Sequence, residues 1–194
     1  MILLTLAGNM LVTVSDWRAY LVVRAYAAGA ATMPDVEAAH TFAVAVAVAT
    51  VPVVPATYVV FLVWLWLVRV NSELWAGPAA HRRARGWVIA SWMTPVANLW
   101  FPYQVVSDIC QASAPRRPAL RGPLKAWWAL FVAATVVGRT LGGFYGREEI
   151  TLDVLRSTAA MSTVSMVLEL AAGALIILIV HRITGWQNER LTGA

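Results

Sequence analysis

Polar and ionisable side chains gather in the middle of this 194-residue chain, between residues 69 and 108. Arginine is the residue that best recognises phosphate, and the amides and the hydroxyl beside these arginines can donate further hydrogen bonds. The candidate site residues are Arg69, Asn71, Arg82, Arg83, Arg85, Asn98, Tyr103, Gln104 and Asp108. Together they predict a site for a lipid headgroup or another phosphate-bearing group.

The sequence carries no signature of catalysis or of metal binding. A lipid-phosphate or isoprenoid-phosphate enzyme needs clustered acids for a metal ion or for acid and base chemistry, and only Asp108 is well placed. The three histidines, His40, His81 and His181, lack metal-ligand spacing, and the single cysteine, Cys110, cannot form an intrachain disulfide. We expect no metal and no cofactor, and whether the protein is an enzyme stays open.

The composition places these residues in a membrane protein. Hydrophobic residues make up 60% of the chain and charged residues 13%, with a mean hydropathy of +0.67. Soluble domains have about 45–50% apolar and about 25% charged residues. We predict an all-α membrane protein with about four transmembrane helices, folded as one polytopic domain over residues 1–194.

Four apolar segments are predicted to cross the membrane, at about residues 1–17, 36–69, 125–144 and 159–181. The first apolar run, from Met1 to Val14, has 14 residues and covers about 21 Å of a roughly 30 Å hydrocarbon core. It is therefore a clipped or tilted span, or the natural start lies upstream. Pro52 and Pro55 fall inside the second segment and predict a kink there.

Basic residues are unevenly distributed between the loops. The segments 69–85, 114–125 and 181–194 contain ten Lys or Arg residues, whereas 15–35 and 145–158 contain four. Loops rich in Lys and Arg stay in the cytoplasm. Both termini are therefore predicted to be cytoplasmic, with the protein in the bacterial cytoplasmic membrane.

The segment 86–113 is apolar, yet both of its flanks are basic. Pro95 and Pro102 predict a helix break at about 98–101, and the following helix has an amphipathic pattern with a polar stripe at Gln104, Ser107, Asp108 and Gln111. Two geometries fit. The helix pair lies in the cytoplasmic interface, or it forms a re-entrant hairpin whose tip aims a helix N-terminus at an anion.

Two charges, Arg139 and Glu169, lie inside otherwise apolar spans. Arg139 is about 21 Å from Lys125 and Glu169 about 18 Å from His181 at 1.5 Å per residue, so the two charges share a depth. An isolated charge near the bilayer centre costs about 2.5–3.5 kcal/mol. We therefore predict an intramembrane Arg139–Glu169 ion pair that registers the two helices, with an outward-extending Arg139 as the competing arrangement.

Several short motifs share their spacing with a known family. They are Trp64-Leu65-Trp66-Leu67-Val68-Arg69-Val70-Asn71, Gly86-Trp87, Ser91-Trp92 and Asn98-Leu99-Trp100-Phe101-Pro102-Tyr103-Gln104. On these residues the chain, from about 40 to 186, resembles the actinobacterial membrane family catalogued as domain of unknown function 4328. The resemblance implies a polytopic bacterial membrane protein and brings no established activity.

The leading functional hypothesis is a non-enzymatic accessory or scaffolding module. The alternative is a lipid- or isoprenoid-phosphate-binding enzyme or carrier that uses the helix break from Asn98 to Gln104 as its anion-binding tip. The expected partners are a bilayer with anionic headgroups, and other membrane proteins or further copies of this chain. Nucleic acid is not expected, because a basic balance in a membrane chain reflects its orientation.

Overall fold

The computed structural model describes residues 1–114, 120–146 and 150–192. Within them the chain forms α-helices and two short 3-10 turns, Pro78–Ala80 and Ala97–Leu99, and no strand, which confirms the all-α prediction. The helices are α1 (Ile2–Ala27), α2 (Met33–Thr50), α3 (Val53–Ala76), α4 (Trp87–Met93), α5 (Phe101–Ser113), α6 (Arg121–Tyr145) and α7 (Leu152–Thr192). Arg116, Arg117 and Arg147, which enter the charge count, lie outside the described residues.

Three helical segments are long and apolar enough to cross a membrane. They are Met33–Ala76, which comprises α2 and α3, Arg121–Tyr145 and Leu152–Thr192, and they contain the predicted spans 36–69, 125–144 and 159–181. The helix α1 covers the predicted span 1–17 from Ile2 onward and continues to Ala27, but it is not one of the three. Polar residues such as Asn9 and Asp16 interrupt its apolar sequence, so a fourth span stays a prediction.

Local sequence explains where the helices begin and end. Thr32 and Asp35 form a capping box at the start of α2, in which the Asp35 carboxylate accepts from the Thr32 backbone N–H at 2.8 Å. Pro52 lies between the end of α2 and the start of α3 and lacks a backbone N–H. The helix is therefore interrupted where the sequence predicts a kink. Gly77 follows α3 with a φ of +75°, a conformation that favours glycine over residues with a side chain.

Contacts between helices divide the chain into two compact units. Unit 1 comprises Met1–Thr57 and Leu130–Ala171, and unit 2 comprises Tyr58–Ala129 and Ala172–Ala194. The boundaries fall inside α3, α6 and α7, so the units are not successive segments of the chain. A single domain over 1–194 stays a prediction.

In unit 1, α1 packs closely on α2 and is hydrogen bonded to α7. Gly8 permits the contact with α2, because an added Cβ would lie 2.9 Å from the Thr50 Cγ2 atom. The contact with α7 is polar: Ser162 donates to the Thr13 hydroxyl at 3.0 Å, and the Trp17 indole donates to Thr163 at 2.9 Å. Hydrogen bonds of this kind hold helices together where the surroundings offer no hydrophobic driving force.

In unit 2, one buried glutamine joins three helices. The Gln187 amide, on α7, donates to the Val68 carbonyl of α3 and to the Ser113 hydroxyl of α5, both at 2.9 Å. Its carbonyl oxygen accepts from Asn71 at 3.2 Å. Gln187 is 2% exposed, so these bonds replace the water that the amide loses on burial.

We expect the substitution Gly8→Ala to destabilise unit 1 by about 1–3 kcal/mol, because its methyl group would overlap Thr50 and force the helices apart. Thermal unfolding in mild detergent measures the effect. Gly143→Ala is the matched control, since an added Cβ there meets no atom within 4 Å. Equal melting temperatures for the two variants would contradict close α1–α2 packing at Gly8.

Candidate functional site

The buried arginine of α3 organises one side of the candidate site. Arg69 is 1% exposed, and its Nε donates to the Glu73 carboxylate at 2.8 Å, one helical turn along. Its Nη2 donates to the backbone carbonyl of Arg83 at 2.9 Å. The other oxygen of Glu73 accepts from Arg85. Glu73 therefore forms ion pairs with two of the four predicted arginines.

A second ion pair fixes the loop after α3 against α5. Asp108 is buried on α5, and its Oδ1 accepts from the Arg82 Nε at 2.9 Å and Nη2 at 2.8 Å. Its Oδ2 accepts from the Arg82 backbone N–H at 2.9 Å. Three donors from one residue use both carboxylate oxygens, so Asp108 is a structural acid here rather than a free catalytic one.

Arg83, in the same loop, also binds residues of α5. The Arg83 Nε donates to the Gln104 side-chain oxygen at 3.1 Å, and its guanidinium carbon lies 3.7 Å from the centre of the Phe101 ring. This contact combines a hydrogen bond with a cation–π interaction. The basic cluster of Arg82, Arg83 and Arg85 thus attaches its own loop to α3 and α5.

Asn71 and Asn98 have different surroundings from those of the arginines. Asn71 donates to Gln187 in the three-helix junction, where it has a packing role. Asn98 lies in the 3-10 turn at the predicted helix break, and its side-chain oxygen is buried without a hydrogen-bond partner. The structure therefore brings Asn98 and Gln104 to the break, but Gln104 is engaged with Arg83.

His81 lies beside Arg69, and its hydrogen bonds define its tautomer. The Ser72 hydroxyl donates to the Arg69 carbonyl at 2.8 Å, so at 3.2 Å from the His81 Nε2 it acts as the acceptor. Nε2 therefore carries the proton, and Nδ1 is bare and buried without a partner. Because the Ser72 proton points at a carbonyl and Ser72 is fully buried, this Ser–His contact is not a nucleophile and base pair.

Burial, followed by the positive charge of Arg69, lowers the pKa of His81 below its ordinary value of 6.5, against the attraction of Asp108 and Glu73. His81 is thus a neutral imidazole in the folded protein near pH 7. Burial likewise raises the pKa of the Cys110 thiol. Among the described residues, no cluster of His, Cys, Asp or Glu side chains forms a metal site.

The lowered pKa of His81 predicts acid sensitivity. The unfolded chain binds the proton at about pH 6.5 and the folded protein only at lower pH, so the contribution of His81 to stability is complete above pH 6.5 and decreases as the pH falls below it. The slope for one proton is at most about 1.4 kcal/mol per pH unit. Unfolding midpoints at pH 7.5 and 5.5 measure it.

His81→Gln is the control, because its Nε2 can still donate to Ser72 and it does not titrate. The variant should lose part of the decline in stability between the two pH values. An unchanged decline would assign the acid sensitivity to other groups.

A surface pocket of about 450 Å³ lies between α5, the loop before α4 and the start of α6. Its lining contains three cations, one acid and three other polar side chains: Ala80, Arg82, Tyr103, Ser107, Asp108, Gln111, Arg121 and Lys125. Arg82 and Asp108 neutralise each other. Arg121 and Lys125 are exposed and make no ion pair with any described residue. The pocket therefore has an excess of positive charge.

Of the predicted site residues, the pocket gathers Arg82, Tyr103 and Asp108. Arg69, Asn71, Arg83, Arg85, Asn98 and Gln104 do not line it. Arg121 and Lys125 are not among the predicted site residues, because basic residues at the end of a span also indicate topology. Ser107 and Gln111 are not among them either, because they belong to the polar stripe of α5. The signal that could have identified them is an i, i+4 pair of cations at the start of a span, facing that stripe.

The hairpin tip, defined here as residues 93–100, exposes apolar side chains. Met93, Val96 and Leu99 each have more than half of their surface exposed. The backbone of the tip is largely satisfied: Asn98 N–H donates to the Thr94 carbonyl at 2.8 Å, and the Trp128 indole of α6 donates to the Leu99 carbonyl at 2.9 Å. Apolar side chains over a satisfied backbone are what a lipid environment requires.

The Arg139–Glu169 ion pair is not formed in the structure. The Glu169 carboxylate accepts from Asn9 of α1 and from Ser165 at 2.9 Å. Arg139 is exposed on α6, and no ion pair among the described residues includes it. Equal depth along the helices did not bring the two charges together, because Glu169 is bonded to Asn9 and Ser165 while Arg139 is exposed.

Comparison with known proteins gives a family and no characterised relative. The model of the family described as domain of unknown function (DUF4328) matches residues 27–185, which confirms the resemblance stated for residues 40 to 186. No curated protein matches the chain. No solved structure matches it either.

Proposed function

Because the chain belongs to the DUF4328 family, whose description names no activity, we propose a function from its geometry: a non-enzymatic membrane module that binds an anionic lipid headgroup. The observation that carries the proposal is the pocket beside α5, in which Arg121 and Lys125 have no counter-charge among the described residues. The proposal replaces the predicted anion site at the helix break, where Gln104 is already bonded to Arg83.

The position of these two cations favours an anion. Arg121 begins α6 and Lys125 lies one turn further on, where the helix dipole is positive and cations are unfavourable by about 0.3–1 kcal/mol each. No acidic residue occupies the first turn of α6. A phosphate between Arg121 and Lys125 would neutralise both side chains and the helix terminus together.

The neutral lining of the pocket suits a headgroup as well. Ser107 is buried and accepts from Gln111 at 3.0 Å, and Tyr103 lines the same wall. These groups can bond ester or hydroxyl oxygens while the cations hold the phosphate. Because α6 enters its apolar stretch directly after Lys125, the pocket lies where headgroups are found, and we commit to a lipid rather than a free metabolite.

The proposed topology follows from charge and from the hairpin. We propose that both termini are cytoplasmic, that α1 is a fourth span, and that the protein occupies a bacterial cytoplasmic membrane, as the charge asymmetry indicates. For the segment 86–113 we favour the re-entrant hairpin over helices in the interface. An actinobacterial source stays a prediction.

The depth of the aromatic contacts supports re-entry. Trp92 packs edge-on against Tyr58 and Phe61 of α3, with ring centroids 6.1 and 5.6 Å away. These residues precede Arg69 by 11 and 8 positions, which is about 16 and 12 Å along the helix. Helices lying flat in the interface would not reach so far into the apolar part of α3.

The geometry of the described residues favours binding over catalysis. Both oxygens of Asp108 are used by Arg82, and Ser72 and His81 are buried, with Ser72 donating to the Arg69 carbonyl and not to His81. An accessory role, exerted through other membrane proteins or further copies of the chain, is compatible with a headgroup site. A lipid- or isoprenoid-phosphate enzyme is the alternative, and turnover of a bound lipid would establish it.

We expect the double variant Arg121→Gln/Lys125→Gln to bind short-chain phosphatidic acid about 30-fold more weakly, since two headgroup contacts of about 1 kcal/mol each are lost. Native mass spectrometry in mild detergent measures the bound lipid. Inorganic phosphate, titrated in parallel, distinguishes a lipid site from a free-phosphate site: tighter binding of phosphate than of lipid would contradict the proposal.

The matched control is Arg156→Gln/Arg182→Gln, which removes the same charge from exposed positions outside the pocket. The control should bind the lipid as the unsubstituted protein does. An equal loss in both double variants would show general charge attraction instead of a site.

A re-entrant hairpin would place its tip deep in the membrane. A spin label at Leu99, in a Cys110→Ser background, should be poorly accessible to a water-soluble nickel relaxant and well accessible to oxygen in lipid nanodiscs. The same label at Gln111, an exposed residue of the pocket lining, should show the opposite preference. Equal aqueous access at the two positions would favour helices on the membrane surface.

A further inference from the structure

A carboxylic acid lies within an apolar helix of unit 1 without a cation beside it. Glu169 is half-buried in α7, about 26 Å from the start of that helix and well inside its membrane-length segment. The amide of Asn9 donates to one of its oxygens, and the Ser165 hydroxyl donates to the other at 2.9 Å. Among the described residues, no Lys, Arg or His side chain lies within ion-pair distance.

Two neutral donors are a poor replacement for water around a charged carboxylate. An uncompensated charge at the bilayer centre costs at least about 2.5–3.5 kcal/mol, whereas a carboxyl group that carries its proton can keep both hydrogen bonds and avoids that cost. We propose that Glu169 is an intramembrane proton-binding site, held between α1 and α7 by Asn9 and Ser165 and able to exchange its proton with water.

A cluster of hydroxyl groups lies one to two turns from this site along α1 and α7. Ser162 donates to Thr13 at 3.0 Å, and the Tyr145 hydroxyl donates to the Asp16 carboxylate at 2.7 Å. Asp16 is about 10 Å from Asn9 along α1. Hydroxyl groups both donate and accept protons, so on this proposal the proton would exchange along the hydroxyl cluster toward Asp16.

The charged groups on the neighbouring helices do not neutralise Glu169. On α1, Arg18 stacks over the Phe42 ring of α2, with its guanidinium carbon 4.9 Å from the ring centre. On α6, Arg139 is exposed and Tyr145 bonds Asp16. No basic side chain among the described residues neutralises Glu169, so on this proposal a bound proton does so.

The site has a direct consequence for the packing of α1 on α7. When the proton is bound, the Glu169 carboxyl is neutral and compatible with lipid. When it leaves, the carboxylate needs a positive partner or water, so the α1–α7 contact must admit one of them. Proton binding and helix packing are thus coupled, as in membrane proteins that move protons or use them to drive transport. This inference requires α7 to cross the membrane and is independent of the headgroup pocket.

Dicyclohexylcarbodiimide tests the proposal. The O–H of a protonated carboxyl adds across a C=N bond of this apolar reagent to give an O-acylisourea, which rearranges to a stable N-acylurea when water is excluded. We expect mass spectrometry of the intact protein in nanodiscs, followed by peptide mapping, to find the adduct on Glu169 at pH 6. Above the midpoint, labelling should decline roughly tenfold per pH unit as the proton is lost.

Three variants make the result specific. Glu169→Gln should lose the adduct, and Glu37→Gln, at an exposed carboxyl on α2, should keep it unchanged. Asn9→Ala should retain labelling to higher pH than the unsubstituted protein, because Asn9 supports the charged form. A purely structural Glu169 would show no such shift.

The same measurement can overturn the inference. Absence of the adduct on Glu169 of the unsubstituted protein between about pH 5 and 9 would mean that the carboxyl is ionised or shielded. Labelling that does not change with pH would mean that the proton does not exchange. Protection by sodium at constant pH would assign the site to a metal cation instead of the proton.

Discussion

Burial of charge is the constraint on which unit 2 depends. A guanidinium or a carboxylate removed from water is tolerated only when opposite charges and hydrogen bonds replace the solvent. Arg69, at 1% exposure, meets this requirement through Glu73 and the Arg83 carbonyl except at its Nη1, which is buried without a partner, and Asp108 meets it through Arg82. The loop between α3 and α4 supplies most of these partners, so its path follows from the two buried charges it must satisfy.

The need to neutralise buried charge also explains why the basic residues of the pocket differ from those of the loop. Within the described part of unit 2, Arg82, Arg83 and Arg85 bind residues of α3 and α5 and so hold their own loop in place. Arg121 and Lys125 line the pocket and form no ion pair with a described residue. A cluster of arginines in sequence is therefore a poor guide to an anion site in this chain. The better guide is which cations remain after the buried acids and carbonyls have been satisfied.

Much of the helical framework could be predicted from the sequence, because it depends on local chemistry. Apolar length predicts the spans in α3, α6 and α7, and Pro95 and Pro102 predict the break before α5.

The partners across helices could not be predicted in this way. Asn9 and Glu169 are 160 residues apart, and neither periodicity nor depth states which face of α1 meets α7. The polar stripe of α5 is typical of a surface helix, yet Ser107 and Asp108 are buried, because neighbouring protein takes the place of water.

The engaged arginines of the loop between α3 and α4 also affect its sensitivity to proteases. Trypsin must withdraw an arginine side chain into its own pocket and straighten several residues around it before it can cut. Here Arg82, Arg83 and Arg85 are each bonded to a residue on α3 or α5, so a cut at this loop requires those bonds to break first. Cleavage between residues 82 and 86 therefore reports release of this loop from α3 and α5, although the loop is rich in the residues that trypsin recognises.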